Sequence, residues 1–317
     1  MIGLAFVVVI VALPRGVTPV IVAGWRRLVP RRAAAGKREQ RQSAFLRPAP
    51  ARAARREAAA GGAPDAAIEL HGLIRRYGSL RVLENIDVRA NPGELLSLVG
   101  PNGAGKTTLI RCISDGNERT AGKVVINGHD IGRLPPQRCV RFGIGRKFQT
   151  ANVFESLTVS ECLRIARMRL EPPSLWRCTT ALDVPEAAFQ VVASTGLGDQ
   201  LASEVRFLSH GMKQALELAM VLALEPSVLL LDEPTAGLTK PERKLIGDIL
   251  VELAARHGLC ILLIEHDLDF VRDISSRVIV LHQGRIALDG TVREVVESEL
   301  VRTIYTGAAH TGLEGRP

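Results

Sequence analysis

Residues 95–107 read Leu95-Leu96-Ser97-Leu98-Val99-Gly100-Pro101-Asn102-Gly103-Ala104-Gly105-Lys106-Thr107, an apolar run followed by a glycine-rich segment. The last eight residues match the pattern G-x-x-x-x-G-K-[ST], and an apolar helical pattern follows at residues 108–114. A strand, a glycine-rich loop and a helix start in this order provide backbone N–H groups that cradle phosphate oxygens. The alternative is a chance glycine-rich turn, which the flanking strand and helix disfavour. The stretch therefore predicts a nucleotide-phosphate site.

Two side chains of this segment have specific predicted roles. Lys106 is expected to reach the β- and γ-phosphates, and the Thr107 hydroxyl is expected to bind Mg²⁺. The other candidate contacts to the nucleotide are the rest of the loop and the start of the helix: Gly100, Pro101, Asn102, Gly103, Ala104, Gly105 and Thr108.

Two further apolar runs are followed by side chains that can take part in binding and hydrolysing a nucleotide phosphate. Residues 228–231 lead into Asp232, a candidate for holding Mg²⁺ through water, and Glu233, a candidate for polarising the water that attacks the γ-phosphate. Neighbours along a strand point to opposite sides, so the two carboxylates should face different ways. Cys260–Ile264 precedes His266, a candidate contact to the γ-phosphate and that water. Alone, two solvated acids or one histidine at a strand end are more often structural.

Residues 208–212, Leu208-Ser209-His210-Gly211-Met212, open a helical pattern. Ser209 is a suitable N-cap, and Gly211 allows a ligand to approach the backbone closely. Two interpretations stay open at this point. The segment is an ordinary capped helix, or it is a second phosphate-binding helix start offered to nucleotide held by another subunit.

Short apolar runs alternate with helical patterns from residue 67 onward, which favours an α/β fold. Nearly continuous apolar runs predict central strands buried on both faces at residues 95–99, 228–231 and 260–264. Shorter strands are predicted at residues 68–70, 124–126, 278–281 and 285–288, with a hairpin turn at His282-Gln283-Gly284. Residues 158–224 are predicted to be mostly helical, broken at Pro172-Pro173, with Ala215, Leu218, Ala219 and Leu222 on one helix face.

Residues 1–66 differ from the rest of the chain. Two apolar runs, at residues 2–13 and 16–25, precede an Ala/Arg-rich stretch that ends at Gly61-Gly62. One interpretation is an unstructured extension or an over-long start assignment. The other is a membrane anchor made of both runs together, because each alone is shorter than the about 20 residues that span a bilayer.

Composition excludes some functional classes. The 317 residues are 46% hydrophobic, which is enough for a sizeable core. The net charge is +8, but residues 1–62 alone carry +10, so the remainder is slightly acidic and lacks the excess typical of nucleic-acid binding. The five cysteines form no C-x-x-C pair, which disfavours a disulfide framework and a zinc site.

Together, these motifs resemble the ATP-binding subunit of an ABC transporter over residues 67–317. The resemblance implies a P-loop (RecA-like) α/β core with a small antiparallel β subdomain and an inserted α-helical subdomain at about residues 155–225. It implies ATP and Mg²⁺ as cofactors, with ATP hydrolysis driving solute transport. It also adds two site residues: Tyr77 matches the aromatic residue that stacks on adenine, and Gln149 matches the glutamine that touches Mg²⁺ and reports to the permease.

The same resemblance matches residues 208–212 to the family's L-S-G-G-Q signature, with Ser209 and Gly211 as phosphate contacts. His210 replaces its second-position glycine, and Met212 replaces its glutamine, an amide that forms hydrogen bonds. Thr239 stands where many members carry an aspartate that links two ATP sites across a dimer. We therefore expect weakened phosphate contacts and altered communication between sites.

The resemblance implies partners as well: a second ATP-binding subunit, identical or different, two permease subunits and, indirectly, a periplasmic solute-binding protein. The chain would lie on the cytoplasmic face of the inner membrane, and no nucleic-acid partner is expected. Residues 143–150 and 153–159 resemble importers of small amides and branched-chain amino acids. Residues 208–211 and 236–239 resemble the urea-importer subunit more, so urea is the expected solute and branched-chain amino acids are the alternative. A non-transport ABC ATPase or a weakly catalytic regulatory subunit fits less well.

Overall fold

The computed structural model describes residues 46–49, 66–147, 153–170 and 181–310. All of them belong to the larger of the chain's two compact units, residues 44–317. The expectations for the apolar runs within residues 2–25, for Pro172-Pro173 and for Gln149 fall outside the described residues.

Strands and helices alternate along the described part of the chain. The strands are β1 (Leu46–Ala49), β2 (Ile68–Tyr77), β3 (Leu80–Ala90), β4 (Leu95–Val99), β5 (Ala121–Ile126), β6 (His129–Asp130), β7 (Ile144–Lys147), β8 (Leu182–Pro185), β9 (Val228–Asp232), β10 (Cys260–Ile264), β11 (Arg277–His282) and β12 (Arg285–Gly290). The α-helices are α1 (Lys106–Ser114), α2 (Pro136–Cys139), α3 (Val159–Arg167), α4 (Glu186–Ser194), α5 (His210–Leu222), α6 (Lys240–His257), α7 (Leu268–Ile274), α8 (Val292–Glu297) and α9 (Glu299–His310).

The central sheet has six strands in the order β12-β11-β4-β10-β9-β7. Its strands are parallel except for the antiparallel edge pair of β11 and β12. Both faces are buried: in β9, Leu229 and Leu231 belong to one apolar cluster, whereas Val228 and Leu230 belong to another. This confirms the α/β core and the prediction that continuous apolar runs form strands covered on both sides.

Two smaller parts cover the faces of this sheet. A four-stranded antiparallel sheet, in the order β3-β2-β5-β6, shares one apolar cluster with α1 and the central strands. Helices α3, α4, α5 and α6 contribute to the cluster on the other face. The helix face predicted in α5 is buried there, through Ala215, Leu218, Ala219 and Leu222.

The predicted hairpin turn is confirmed. His282 pairs with Arg285 across it, and the two residues between them, Gln283 and Gly284, have φ of 48° and 76°. Two consecutive positive φ values are typical of the type I′ turn, whose twist matches that of the flanking strands.

Several strands outside the centre of the main sheet differ from the sequence-based expectations. Strand β2 extends to Tyr77, well beyond residue 70, because an irregularity around Gly72, with φ of 54°, breaks the alternation on which the prediction depended. Strands β3, β6, β7 and β8 were not predicted, and β8 lies within residues 158–224, which were expected to be mostly helical. Strand β1 lies within the segment that was expected to be an unstructured leader, and it pairs in parallel with β8.

Candidate nucleotide site

The predicted site residues follow neighbouring strands of the central sheet. The loop at residues 100–107 follows β4, Asp232 ends β9, and His266 lies two residues beyond β10. Ile264 of β10 is paired with both Leu98 of β4 and Asp232 of β9, so the three strand ends lie level. This is the edge at which parallel α/β sheets bind ligands.

Glycine is required at two positions of the loop for different reasons. At Gly100 a Cβ atom would lie 2.1 Å from the Leu281 carbonyl oxygen, so no other residue fits without moving the backbone. Gly103 has open space around it but a φ of 80°, a conformation that glycine adopts without strain.

Lys106 is held inside the loop by backbone oxygens. Its Nζ donates to the Gly100 carbonyl at 2.7 Å and to the Pro101 carbonyl at 3.0 Å. Burial lowers the pKa of Lys106, and the Glu233 and Asp232 carboxylates oppose that shift. Phosphate oxygens would make stronger, charge-assisted bonds to the same ammonium group.

Helix α1 begins at Lys106 in a way that suits an anion. Its N-cap is Gly105, no side chain caps it, and its first turn has no acidic residue. The first backbone N–H groups of the helix and the positive end of its dipole are therefore available to phosphate.

Thr107 and Asp232 form a pair of oxygen ligands that fits Mg²⁺. The Thr107 hydroxyl lies 3.4 Å from Asp232 Oδ1. Asp232 is only 5% exposed, and burial raises its pKa. A divalent cation would favour the ionised carboxylate, and hydroxyl and carboxylate oxygens are the ligands that Mg²⁺ prefers.

Glu233 and His266 form a second pair at the same edge. Glu233 Oε1 lies 2.7 Å from His266 Nε2. Glu233 has a φ of 49°, which non-glycine residues rarely adopt, and its N–H donates to the Ile264 carbonyl at 3.0 Å. The two adjacent carboxylates thus have different partners. Strand β9 ends at Asp232, so the positive φ of Glu233, and not the alternation expected along a strand, sets the direction of the second carboxylate.

Tyr77 lies at the end of β2 with 44% of its surface exposed. Its hydroxyl donates to Glu118 at 3.3 Å, and the Arg75 guanidinium lies 4.0 Å from the ring centroid. Arg75 is in turn 2.8 Å from Glu118. These contacts fix the orientation of an exposed ring, which is what stacking on a base requires.

Comparison with known proteins places this geometry in a family. The family profile described as "ABC transporter" matches residues 83–236. LivG of Escherichia coli K12, a high-affinity branched-chain amino acid transport ATP-binding protein, is 34% identical over 253 residues, which cover 76% of this chain and 98% of LivG. The chain belongs to the ABC transporter ATP-binding family.

Other relatives agree with this assignment. BraF of Pseudomonas aeruginosa, named in the same way as LivG, is 30% identical over 76% of this chain and 98% of its own length. A solved ATP-binding cassette of an ABC transporter in its ADP conformation superposes with a TM-score of 0.65 at 26% identity, covering 76% of this chain and 99% of that cassette. The chain is therefore an ABC ATPase that uses ATP with Mg²⁺, and its fold is that of an ABC cassette.

The signature segment of this ABC ATPase caps its own helix. Ser209 is the N-cap of α5, and its hydroxyl accepts from the Met212 N–H at 3.2 Å. The Met212 side chain packs against the apolar cluster that helices α3, α4, α5 and α6 form with one face of the central sheet. Among the described residues, no hydrogen bond joins Ser209 or Gly211 to the phosphate loop. The structure thus does not bring the signature to the loop of the same chain.

The two other departures from the family pattern have local roles. His210 Nε2 lies 3.2 Å from the Ala236 carbonyl oxygen, so it joins the start of α5 to the loop before α6. Thr239 is the N-cap of α6, where it forms a capping box with Glu242.

Sequence reasoning missed a buried carboxylate behind the site. Glu265, 5% exposed, accepts hydrogen bonds from the Thr235 N–H at 3.2 Å and the Thr235 hydroxyl at 2.6 Å. The pair therefore joins the segment that follows Glu233 to the residue that precedes His266. The available signal was position: Thr235 and Glu265 lie next to the predicted catalytic residues in the chain.

A buried lysine was missed as well. Lys147, at the end of β7, is 1% exposed, and its Nζ lies 3.3 Å from Glu217 Oε2 and also donates to Gln214 Oε1. Burial lowers the pKa of Lys147, which the Glu217 carboxylate opposes. The contact ties the strand that leads toward Gln149 to the signature helix α5.

In the described part of the chain, no helix combines the length and the apolar character needed to cross a bilayer.

Proposed function

We propose that this ABC ATPase energises an importer of branched-chain amino acids. The observation that carries the proposal is its similarity to LivG and BraF along nearly their whole length. Both relatives are named for high-affinity transport of these solutes. The chain would work on the cytoplasmic face of the inner membrane, with two permease subunits, a second ATP-binding subunit and, indirectly, a periplasmic binding protein.

Urea, the solute expected from the sequence, has less support. That expectation depended on residues 208–211 and 236–239, but His210 contacts Ala236 and Thr239 caps α6 within the same chain. Such local roles carry no information about the solute. The relatives reported above also favour branched-chain amino acids.

The roles proposed for the site residues follow from their positions. Lys106 and the start of α1 bind the phosphates, while Thr107 and Asp232 hold Mg²⁺, which when bound neutralises charge on the phosphate oxygens. Glu233 accepts a proton from the attacking water, and His266, hydrogen-bonded to Glu233, orients that carboxylate. Tyr77 stacks on the adenine, and Gln149 joins the Mg²⁺ site to the permease.

A groove beside β7 is the proposed docking place for a permease helix. It has a volume of about 570 Å³, and its walls come from the end of α1, from α2, from β7 and from the end of α5. Arg146, three residues before Gln149, lies in its lining. A cysteine at the exposed Gln137 of this lining should cross-link to the permease, whereas one at Asp248 on α6 should not.

Uptake in cells that lack the gene tests the solute. Labelled leucine and labelled urea would be supplied separately at micromolar concentration. We expect leucine uptake to be lost and urea uptake to be unchanged, with recovery by the wild-type chain but not by the Glu233→Gln chain. Loss of urea uptake alone would reverse the assignment. If neither uptake changes, the assignment to this importer group is wrong.

A further inference from the structure

Two short segments carry the proposed catalytic residues, and three contacts join them. In the first contact the Glu233 N–H donates to the Ile264 carbonyl at 3.0 Å, and in the second Glu233 Oε1 lies 2.7 Å from His266 Nε2. In the third, Thr235 donates to Glu265 through its N–H and its hydroxyl. Thr235 follows Glu233 by two residues, and Glu265 directly precedes His266, so the third contact adjoins the other two.

The contact between Thr235 and Glu265 is more protected from water than the contact between the catalytic side chains. Thr235 is 2% exposed and Glu265 is 5% exposed, whereas the side chains of His266 and Glu233 are 44% and 24% exposed. An exposed pair contributes little, because water competes for both groups, and a hydrogen bond to a buried acidic group is stronger. The buried contact is therefore the side-chain contact that can hold the two segments together.

Glu265 uses both carboxylate oxygens for this purpose. Its Oε1 accepts from the Thr235 N–H at 3.2 Å and from the Thr235 hydroxyl at 2.6 Å. Its Oε2 faces the His266 N–H at 3.4 Å. One carboxyl group thus fixes the backbone that follows Glu233 and contacts the backbone of His266.

The anchor at Thr235 is close enough in the chain to restrain Glu233. The φ of 49° at Glu233 costs energy, and such a conformation persists only where the surrounding structure holds it. Pro234 lies between Glu233 and Thr235, and its ring fixes its own φ. Few backbone rotations therefore separate the anchored residue from the strained one.

Given the roles proposed above for Glu233 and His266, we propose that Thr235 and Glu265 are positioning residues for ATP hydrolysis. Their contact holds Glu233 in its strained conformation, with its carboxylate against His266. Without this contact the backbone of Glu233 relaxes, and the carboxylate lies less often where it can accept the proton of the attacking water. A small displacement of a catalytic group is enough to slow a reaction substantially.

Steady-state phosphate release by the full chain tests the proposal. Thr235→Val removes the hydroxyl and nearly preserves the shape of the side chain. It should lower kcat at least about tenfold and leave the KM for ATP within about twofold, because the contacts of the phosphate loop are untouched. Thr235→Ser retains the hydroxyl and should keep kcat within about threefold of the wild type. Glu265→Met, which removes the acceptor of both Thr235 bonds, should lower kcat further.

Thr158→Val is the matched control for lost stability. Thr158 is 3% exposed, and its hydroxyl donates to Glu161 at 2.8 Å, so it too is a buried threonine bonded to a glutamate. It caps α3, outside the two catalytic segments. Thr158→Val should therefore lower Tm about as much as Thr235→Val does, with kcat unchanged. An equal loss of kcat in both variants would mean that Thr235 acts through general stability alone.

A second pair of variants shows whether Thr235 acts through Glu233. Thr235→Val is added to Glu233→Gln, and both chains are compared in single-turnover hydrolysis. The second substitution should cause no further loss, because there is no longer a base to position. A further tenfold loss would overturn the proposal. Hydrolysis at the wild-type rate by Glu233→Gln alone would instead overturn the role of the base, so the two failures are distinguishable.

Three other results would overturn the positioning role. The first is a wild-type kcat for Thr235→Val. The second is a raised KM with kcat unchanged, which would assign the effect to nucleotide binding. The third is a Thr235→Ser chain as slow as Thr235→Val, because the hydroxyl would then not be the group that matters.

Discussion

Glu233 is held at the strand end in a conformation that costs energy. Its φ of 49° is unfavourable for a glutamate, and its N–H bond to the Ile264 carbonyl keeps the backbone there. From this position its side chain reaches His266. The strained backbone thus gives the carboxylate proposed to accept a proton a different partner from the carboxylate proposed to hold Mg²⁺.

Replacing Glu233 with glutamine should abolish turnover and preserve ATP binding. Glutamine keeps the size of the side chain but cannot accept the proton of the attacking water, which we expect to cost about 100-fold or more in kcat. The measurements are phosphate release and equilibrium nucleotide binding. The matched control is Glu297→Gln, an exposed position on α8. Hydrolysis at the wild-type rate by Glu233→Gln would remove Glu233 from the role of the base.

Glu265 gives a pH-dependent stability of known sign. Burial raises its pKa above the ordinary 4.5, so the folded state favours the protonated form. This contribution to the free energy of unfolding is complete below pH 4.5 and is lost as the pH rises through the folded-state pKa. We therefore expect the wild type to lose stability relative to Glu265→Gln as the pH is raised from about 4.5 to 7. Denaturant unfolding at a series of pH values checks this, and parallel profiles would contradict it.

Much of the site was predictable at the residue scale, and the missed part has a physical reason. The phosphate loop, Asp232, Glu233 and His266 each follow an apolar run, and the parallel sheet brings those runs level. The contact between Glu265 and Thr235 was not predictable, because the two residues are 30 positions apart in the chain. Only the adjacency of two strands, which one sequence does not report, brings the pair together.

At the scale of elements, continuous runs of apolar residues predicted the central strands well. Alternation of apolar and polar residues predicted the outer strands less well. Strands β4, β9 and β10 were found because both faces are buried, so nearly every residue is apolar. Strand β3 was missed because its inward residues alternate with polar ones, and Asn85 has a positive φ within it. Strand β1 was missed because its partner β8 is more than 130 residues away.

Thr239 departs from the family pattern, and helix α6, which needs an N-cap at this position, explains the departure. Its hydroxyl caps α6, so Thr239→Ala should lower the free energy of unfolding by about 1 kcal/mol. Aspartate is also a good N-cap, so Thr239→Asp should preserve stability and restore the family's residue. Chemical denaturation measures the first effect, and the Hill coefficient of ATP hydrolysis measures any communication gained. Equal destabilisation by both variants would rule out capping as the role of Thr239.

At the scale of the whole molecule, the described chain contains one phosphate loop and one signature that do not meet. Ser209 bonds to its own helix, and Lys106 bonds to its own loop. The phosphate loop and the signature each have the backbone N–H donors of a helix start, and neither of them alone surrounds a γ-phosphate. We therefore propose that a complete site forms between two ATP-binding subunits, with the loop of one facing the signature of the other. In such a pair, contacts to ATP that exist only in the closed state would favour closure.

Mixing two inactive variants tests whether the site is shared. Lys106→Ala removes the ammonium group proposed to bind phosphate. Ser209→Arg blocks the signature, and because Ser209 is only an N-cap, its loss should lower the free energy of unfolding by only about 1 kcal/mol. Each variant alone should be inactive, with a melting temperature that confirms folding. In an equal mixture, mixed dimers pair the loop of the Ser209→Arg chain with the signature of the Lys106→Ala chain. ATP hydrolysis should then reappear, because one complete site forms in each mixed dimer. A mixture that stays inactive while dimers form would mean that each chain completes its own site.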